Sequence, residues 1–179
     1  MFEIAMCAQA PGRKGSVLLP GGVRGEAHEE VLMTVHARVV EYYCTCVEDK
    51  PGEGYRLLAR LKRHEVNFLA FTSFPSGPGQ VQLNFFPEDH EELLGAAKEL
   101  NVTLLGPRKA FLITGDDRVG ALADVFRRFY DADINMLAAN CVADDRGGYG
   151  LIVWVAPPDC EEAARALGIV AKPEAAASS

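Results

Sequence analysis

Two stretches of this chain change hydrophobic period in the same way. Lys109 to Thr114 is apolar and β-branched and predicts a strand. Past Gly120, the apolar positions Leu122, Val125, Phe126 and Phe129 recur at i, i+3, i+4 and i+7, the stripe of an amphipathic helix. Between them Gly115-Asp116-Asp117-Arg118-Val119-Gly120 forms a strand–turn–helix joint with a glycine at each end. Sixty-eight residues earlier, Val39 to Val47 predicts a strand and Leu57, Leu58 and Leu61 a helical stripe, with Glu48-Asp49-Lys50-Pro51-Gly52-Glu53-Gly54 between. At the same offset Glu65 to Ala70 falls on Asp133 to Ala138, and Asn67 on Asn135. An ungapped match of this length is an internal duplication.

The remaining elements follow in order. The first copy has a strand from Ala37 to Val47, a helix from Gly54 to His64 with Arg56, Arg60 and Arg63 on its exposed side, and a strand from Val66 to Ser73. A turn through Pro75 to Gly79 leads to a strand from Gln80 to Phe86. A helix opened by Pro87 to Glu92 ends near Asn101, with its acids at the favourable end of the dipole. Val102 to Leu105 is expected as a fourth strand, and Gly106-Pro107 as a short linker. The second copy predicts strand 109–114, helix 120–131, strand 134–142, turn 143–148, strand 149–155 and a short helix from Asp159 to Leu167. The expected fold is α+β: two ferredoxin-like βαββαβ units, 36–105 and 108–170, each an antiparallel sheet with helices on one face. Residues 1–34 lack any period and predict a dispensable, loosely attached arm, with Met33 an alternative start of translation. Residues 171–179 read as a disordered tail.

The joints carry the candidate chemistry. A glycine at a helix start allows close backbone approach where the first amides have no partner within the helix. Those donors, at the positive end of the helix dipole, suit a carboxylate or another anion. The plainer reading is a capped helix, with Asp116 or Asp117 as N-cap and Arg118 in solvent.

Asp117-Arg118-Val119-Gly120-Ala121-Leu122, an amphipathic helix, and then Asp131-Ala-Asp-Ile-Asn-Met136 together resemble the ACT domain, a small βαββαβ module that binds amino acids in many regulated enzymes. The first copy fits with Gly54 where the second has Leu122. The resemblance covers residues 36 to 170 and implies regulation more often than catalysis. It implies two units paired edge to edge, with no attached catalytic or DNA-binding domain and an amino acid bound at the seam between units. The ligand carboxylate would meet amides around Gly52 and Gly54, or around Gly120, Ala121 and Leu122, and its ammonium would meet Asp49 or Asp117. Asn67 and Asn135 would face the ligand from the neighbouring unit. Pro51 in place of Val119 lets the two sites differ. A homodimer of four units and a metabolic enzyme or regulator as partner are expected. The alternative is a non-catalytic interaction module that has lost its ligand.

Composition narrows the classes further. The net charge is −7 and the pI near 5.1, against a nucleic-acid footprint. Five cysteines without a secretory segment predict reduced thiols and a cytoplasmic protein, and no apolar run is long enough to span a membrane. Phosphate-loop, hydrolase-elbow and zinc-helix motifs are absent from the sequence, so no enzyme, cofactor or metal is expected. Cys44-Thr45-Cys46 puts two thiols on one strand face without further ligands, so both are read as small core residues. Cys160 stands at a helix start, where a thiol pKa can be lowered, but it is read as an ordinary residue of that helix. Tyr42-Tyr43 and Phe85-Phe86 are read as core packing, not as a base-stacking platform.

Overall fold

In the computed structural model residues 35–169 are described; the expected arm, tail and alternative start lie outside them. The chain runs β1 (His36–Glu48), α1 (Glu53–Arg63), β2 (Phe68–Gly77), β3 (Gln80–Pro87), α2 (His90–Glu99), β4 (Leu105–Asp116), α3 (Ala121–Asp131), β5 (Met136–Ala143), β6 (Gly148–Val155) and α4 (Cys160–Ala166). The strands form one sheet in the order β2-β3-β1-β4-β6-β5, antiparallel throughout.

The duplication is visible in the backbone at its sequence offset. Helices α1 and α3 begin and end at equivalent positions. Each follows a glycine with positive φ, 93° at Gly52 and 89° at Gly120. Each ends at an acidic residue with positive φ, 58° at Glu65 and 55° at Asp133, after which the Val66 and Ile134 amides return to the Leu61 and Phe129 carbonyls.

The centre of the sheet differs from the expected plan. Val102 to Leu104 form no strand, and Gly106-Pro107 is not a linker but part of β4. One long strand serves both copies: it is the fourth strand of the first βαββαβ unit and the first strand of the second. In return, β1 completes the second unit, with His36 opposite Thr114 and Tyr42 opposite Arg108. Pairing the two first strands directly satisfies both inner edges, so six strands do the work of eight. The ladder shifts register between Tyr42 and Cys44, where Gly106 crosses β1 at φ 149°. A Cβ on Gly106 would stand 2.9 Å from the Tyr42 carbonyl oxygen, so this glycine allows two backbones to touch. Strand β2 also runs through the expected turn as far as Gly77.

Strand alternation divides the core between two faces. Phe111 and Ile113 lie opposite Val39 and Ala37, and Phe85 opposite Tyr43, so all three project to the face carried by odd positions of β1. Here Val125, Phe129, Ala163 and Leu167 cover the second copy, and Leu57, Leu61, Leu93 and Ala96 the first, which places the four helices on one face. The opposite face gathers strand residues alone: Val40, Tyr42, Phe86, Ala110, Ile152 and Trp154, all buried. Tyr42 stacks on Phe86 at 5.0 Å, in keeping with core packing. Phe74 of β2 meets Trp154 of β6 at 6.1 Å although β3, β1 and β4 lie between those strands, so the sheet is strongly curled toward this face.

Candidate functional site

The two joints leave opposite ends of the central strand pair. At each, the aspartate amide closes the turn on a hairpin glycine: Asp49 on the Gly79 carbonyl and Asp117 on the Gly147 carbonyl, both at 2.8 Å. The helix then starts at Gly52 or Gly120 with no side-chain cap. Neither Asp116 nor Asp117 acts as N-cap, because the left-handed Gly120 takes that position and no side chain caps the helix. The Glu53 and Ala121 amides are used within the turn. Those of Gly54 and Tyr55, and of Leu122 and Ala123, have no hydrogen-bond acceptor among the described residues. A Cβ built at Gly52, Gly54 or Gly120 meets nothing within 4 Å, so the space before each helix start is open.

The rims differ. Arg118 lies 2.6 Å from Asp124 in the second joint, and Lys50 lies 2.6 Å from Glu48 in the first. Val119 is fully exposed at the apex of its loop. Ala121 is buried in the helix-side core, so it offers a ligand only its backbone, whereas Leu122 is partly open.

Sequence reasoning missed Tyr149. It stands on β6 opposite Gly115, the last residue before the second joint turns, and its ring lies across that glycine. The residue is 6 % exposed, and its hydroxyl is buried without a hydrogen-bond partner. Burial pushes its phenol pKa up, the neighbouring Cys141 adds to the rise, and Arg128 and Arg118 oppose it. At the equivalent places the first copy has Val47 and Val81, so its joint carries no such hydroxyl. The available signal was Gly115 itself, an unfilled strand position that a large cross-strand side chain can cover.

The structure does not bring the asparagines to the joints within one chain. Asn67 precedes β2 and Asn135 precedes β5, the two outermost strands, and both are exposed. Strands β1 and β3 separate β4 from β2, and β4 and β6 separate β1 from β5. Asn135 instead lines an open groove of about 690 Å³ with Phe126, Tyr130 and Met136. The reading of both Cys44 and Cys46 as core residues holds for Cys44 only: Cys46 is exposed, 3.7 Å from the Ser76 hydroxyl. Burial pushes the Cys160 thiol up, which fits its reading as an ordinary helix residue and not an activated thiol. Among the described residues no cluster of three or more His, Cys, Asp or Glu side chains is placed to hold a metal ion, and no helix is long and apolar enough to cross a membrane.

The sequence matches no protein-family model and no curated protein. Solved structures share the fold at low identity. A protein from Bacteroides thetaiotaomicron aligns at 17% identity over 72% of this chain and 88% of its own, with a TM-score of 0.62. The aspartokinase alpha and beta subunits align at 16% identity over 74% and 93%, with a TM-score of 0.52. The ligand-free regulatory subunit of aspartate kinase from Thermus thermophilus aligns at 15% over 77% and 97%, with a TM-score of 0.51. Each alignment spans both copies and nearly the whole of the other chain, and with the duplicated βαββ plan it identifies the fold as that of a tandem ACT protein.

Proposed function

We propose that this chain is a non-catalytic regulatory protein that binds a free amino acid, and that the second joint is its working site. The observation that carries this reading is the helix start at Gly120 with its two uncapped amides, in a joint whose strand end, Gly115, lies under the ring of Tyr149 and its unpartnered hydroxyl. Backbone amides at the positive end of a helix dipole suit the ligand carboxylate. The tyrosine hydroxyl gains a partner from the ligand or from a water held with it. Asp117, free of any capping role, is available to the ammonium group. The first joint keeps the glycine geometry but lacks the hydroxyl, so it is the weaker of the two.

Because each asparagine stands just before an outer strand, Asn67 or Asn135 reaches a joint only from a second chain. The homodimer therefore belongs to the proposal, with a metabolic enzyme or regulator receiving the signal. The competing reading is an interaction module without a ligand, favoured by apolar Val142, 74 % exposed on the edge strand β5.

A thermal-shift screen of the twenty amino acids separates the two. A ligand at about a hundred times its Kd stabilises the native state by about 2.7 kcal/mol. A selective rise in melting temperature for one or a few amino acids supports the sensor; no rise with any of the twenty at millimolar concentration supports the interaction module.

A further inference from the structure

We propose that the first copy carries a separate groove for a small molecule with two or more negative charges. The groove, of about 730 Å³, lies between α1, the end of β1 and residues 101–103. Its volume is that of a metabolite site.

The groove exists because the chain leaves α2 away from the sheet. Asn101 takes a positive φ of 52°, and the Val102 amide returns to the Ala97 carbonyl at 2.8 Å. Strand β4 therefore joins β1 only at Leu105, opposite Cys44. Beyond that point Thr45 to Glu48 pair with β3 alone, and their other backbone edge is left beside the groove. Thr45 and Thr103 add hydroxyls to its lining.

Arg56, Arg60 and Arg63 all line this space. Spaced at i, i+4 and i+7, they share one flank of α1. Arg60 is already positioned, donating to the Leu100 carbonyl at 2.7 Å, while Arg56 pairs with Glu53, the one acid of the lining. Arg63 has no partner among the described residues. Three guanidiniums against one carboxylate leave a local excess of positive charge in a chain whose net charge is −7.

The excess is not inherited from the repeat. At the equivalent positions the second copy has Asp124, Arg128 and Asp131, and its two aspartates pair with Arg118 and Arg127. Guanidinium forks bind carboxylate and phosphoryl oxygens in bidentate fashion. The ligand class is therefore a dicarboxylate or a phosphorylated small molecule, distinct from the amino acid of the second joint.

The test is calorimetric titration of the full chain with succinate and, separately, with pyrophosphate, against sodium chloride at matched ionic strength. Saturable 1:1 binding of either probe is expected, and the stronger of the two identifies the source of the charge. Arg56→Gln/Arg63→Gln should weaken that probe at least tenfold, as should Arg63→Glu alone, while Tyr149→Phe leaves it unchanged. Both arginines are exposed, and an unchanged melting temperature verifies the fold. Neither probe binding better than chloride, or binding that survives both arginine variants, overturns the proposal.

Discussion

Tyr149→Phe isolates one atom of the proposed site. The substitution keeps the ring that covers Gly115 and removes only a hydroxyl that is buried and without a partner. A buried hydroxyl left unsatisfied costs about 1–3 kcal/mol. Removing it should therefore leave the ligand-free protein unchanged or raise its stability by up to about 1 kcal/mol, part of the penalty being recovered. For a chain of this size that corresponds to about 2–4 °C in melting temperature. The same change should weaken the amino acid by about 0.5–1.5 kcal/mol, the net worth of one neutral hydrogen bond. The assay is paired chemical denaturation and calorimetry, without and with the ligand found by screening. Opposite signs are the signature: a folded state no weaker, a complex weaker. A loss of more than 1 kcal/mol in the ligand-free protein would mean that the hydroxyl already has a partner, and the reasoning would fail.

The other predictions do not turn on that atom alone. Gly106→Ala should destabilise by about 2 kcal/mol or more, because its Cβ would strike the Tyr42 carbonyl at a φ that L-residues rarely adopt; a urea midpoint equal to wild type refutes the shared-strand account. Stability should fall as pH rises above about 9, because burial raises the thiols of Cys44, Cys141 and Cys160 and the phenols of Tyr42, Tyr43 and Tyr149 above their ordinary values. The sign follows from linkage: these groups stay protonated longer in the folded chain, so their contribution is complete below the unfolded pKa and is lost as pH rises toward the folded one. A melting temperature flat from pH 8 to 11 contradicts it. Asn135→Ala should weaken the amino acid by about 1–3 kcal/mol if a second chain supplies that wall, and light scattering should then give twice the 19.4 kDa of one chain.

The duplication, the strand–helix order and both glycine starts were legible because each is local. The offset between Asp49 and Asp117 aligns helices whose ends coincide in the structure. The sheet's centre was not legible. Gly106-Pro107 has the composition of a linker, and only the position of Tyr42 on another strand shows that the glycine serves a close crossing. Tyr149 was missed for the same reason: its importance lies in what faces it across the ladder, Gly115, and not in its neighbours along the chain. Asn67 and Asn135 were expected at strand starts and stand just before β2 and β5, but pairing β1 with β4 puts those strands at the outer edges.

The central claim is that the second joint, not the first, holds the amino acid, and two equivalent substitutions test it directly. Gly120→Val and Gly52→Val each put a side chain on a left-handed residue with open space around it. Each should therefore cost stability alike, about 1–2 kcal/mol. Calorimetry on the amino acid found by screening should show binding abolished by Gly120→Val and retained by Gly52→Val. Binding retained by Gly120→Val, whether or not Gly52→Val removes it, would contradict the account.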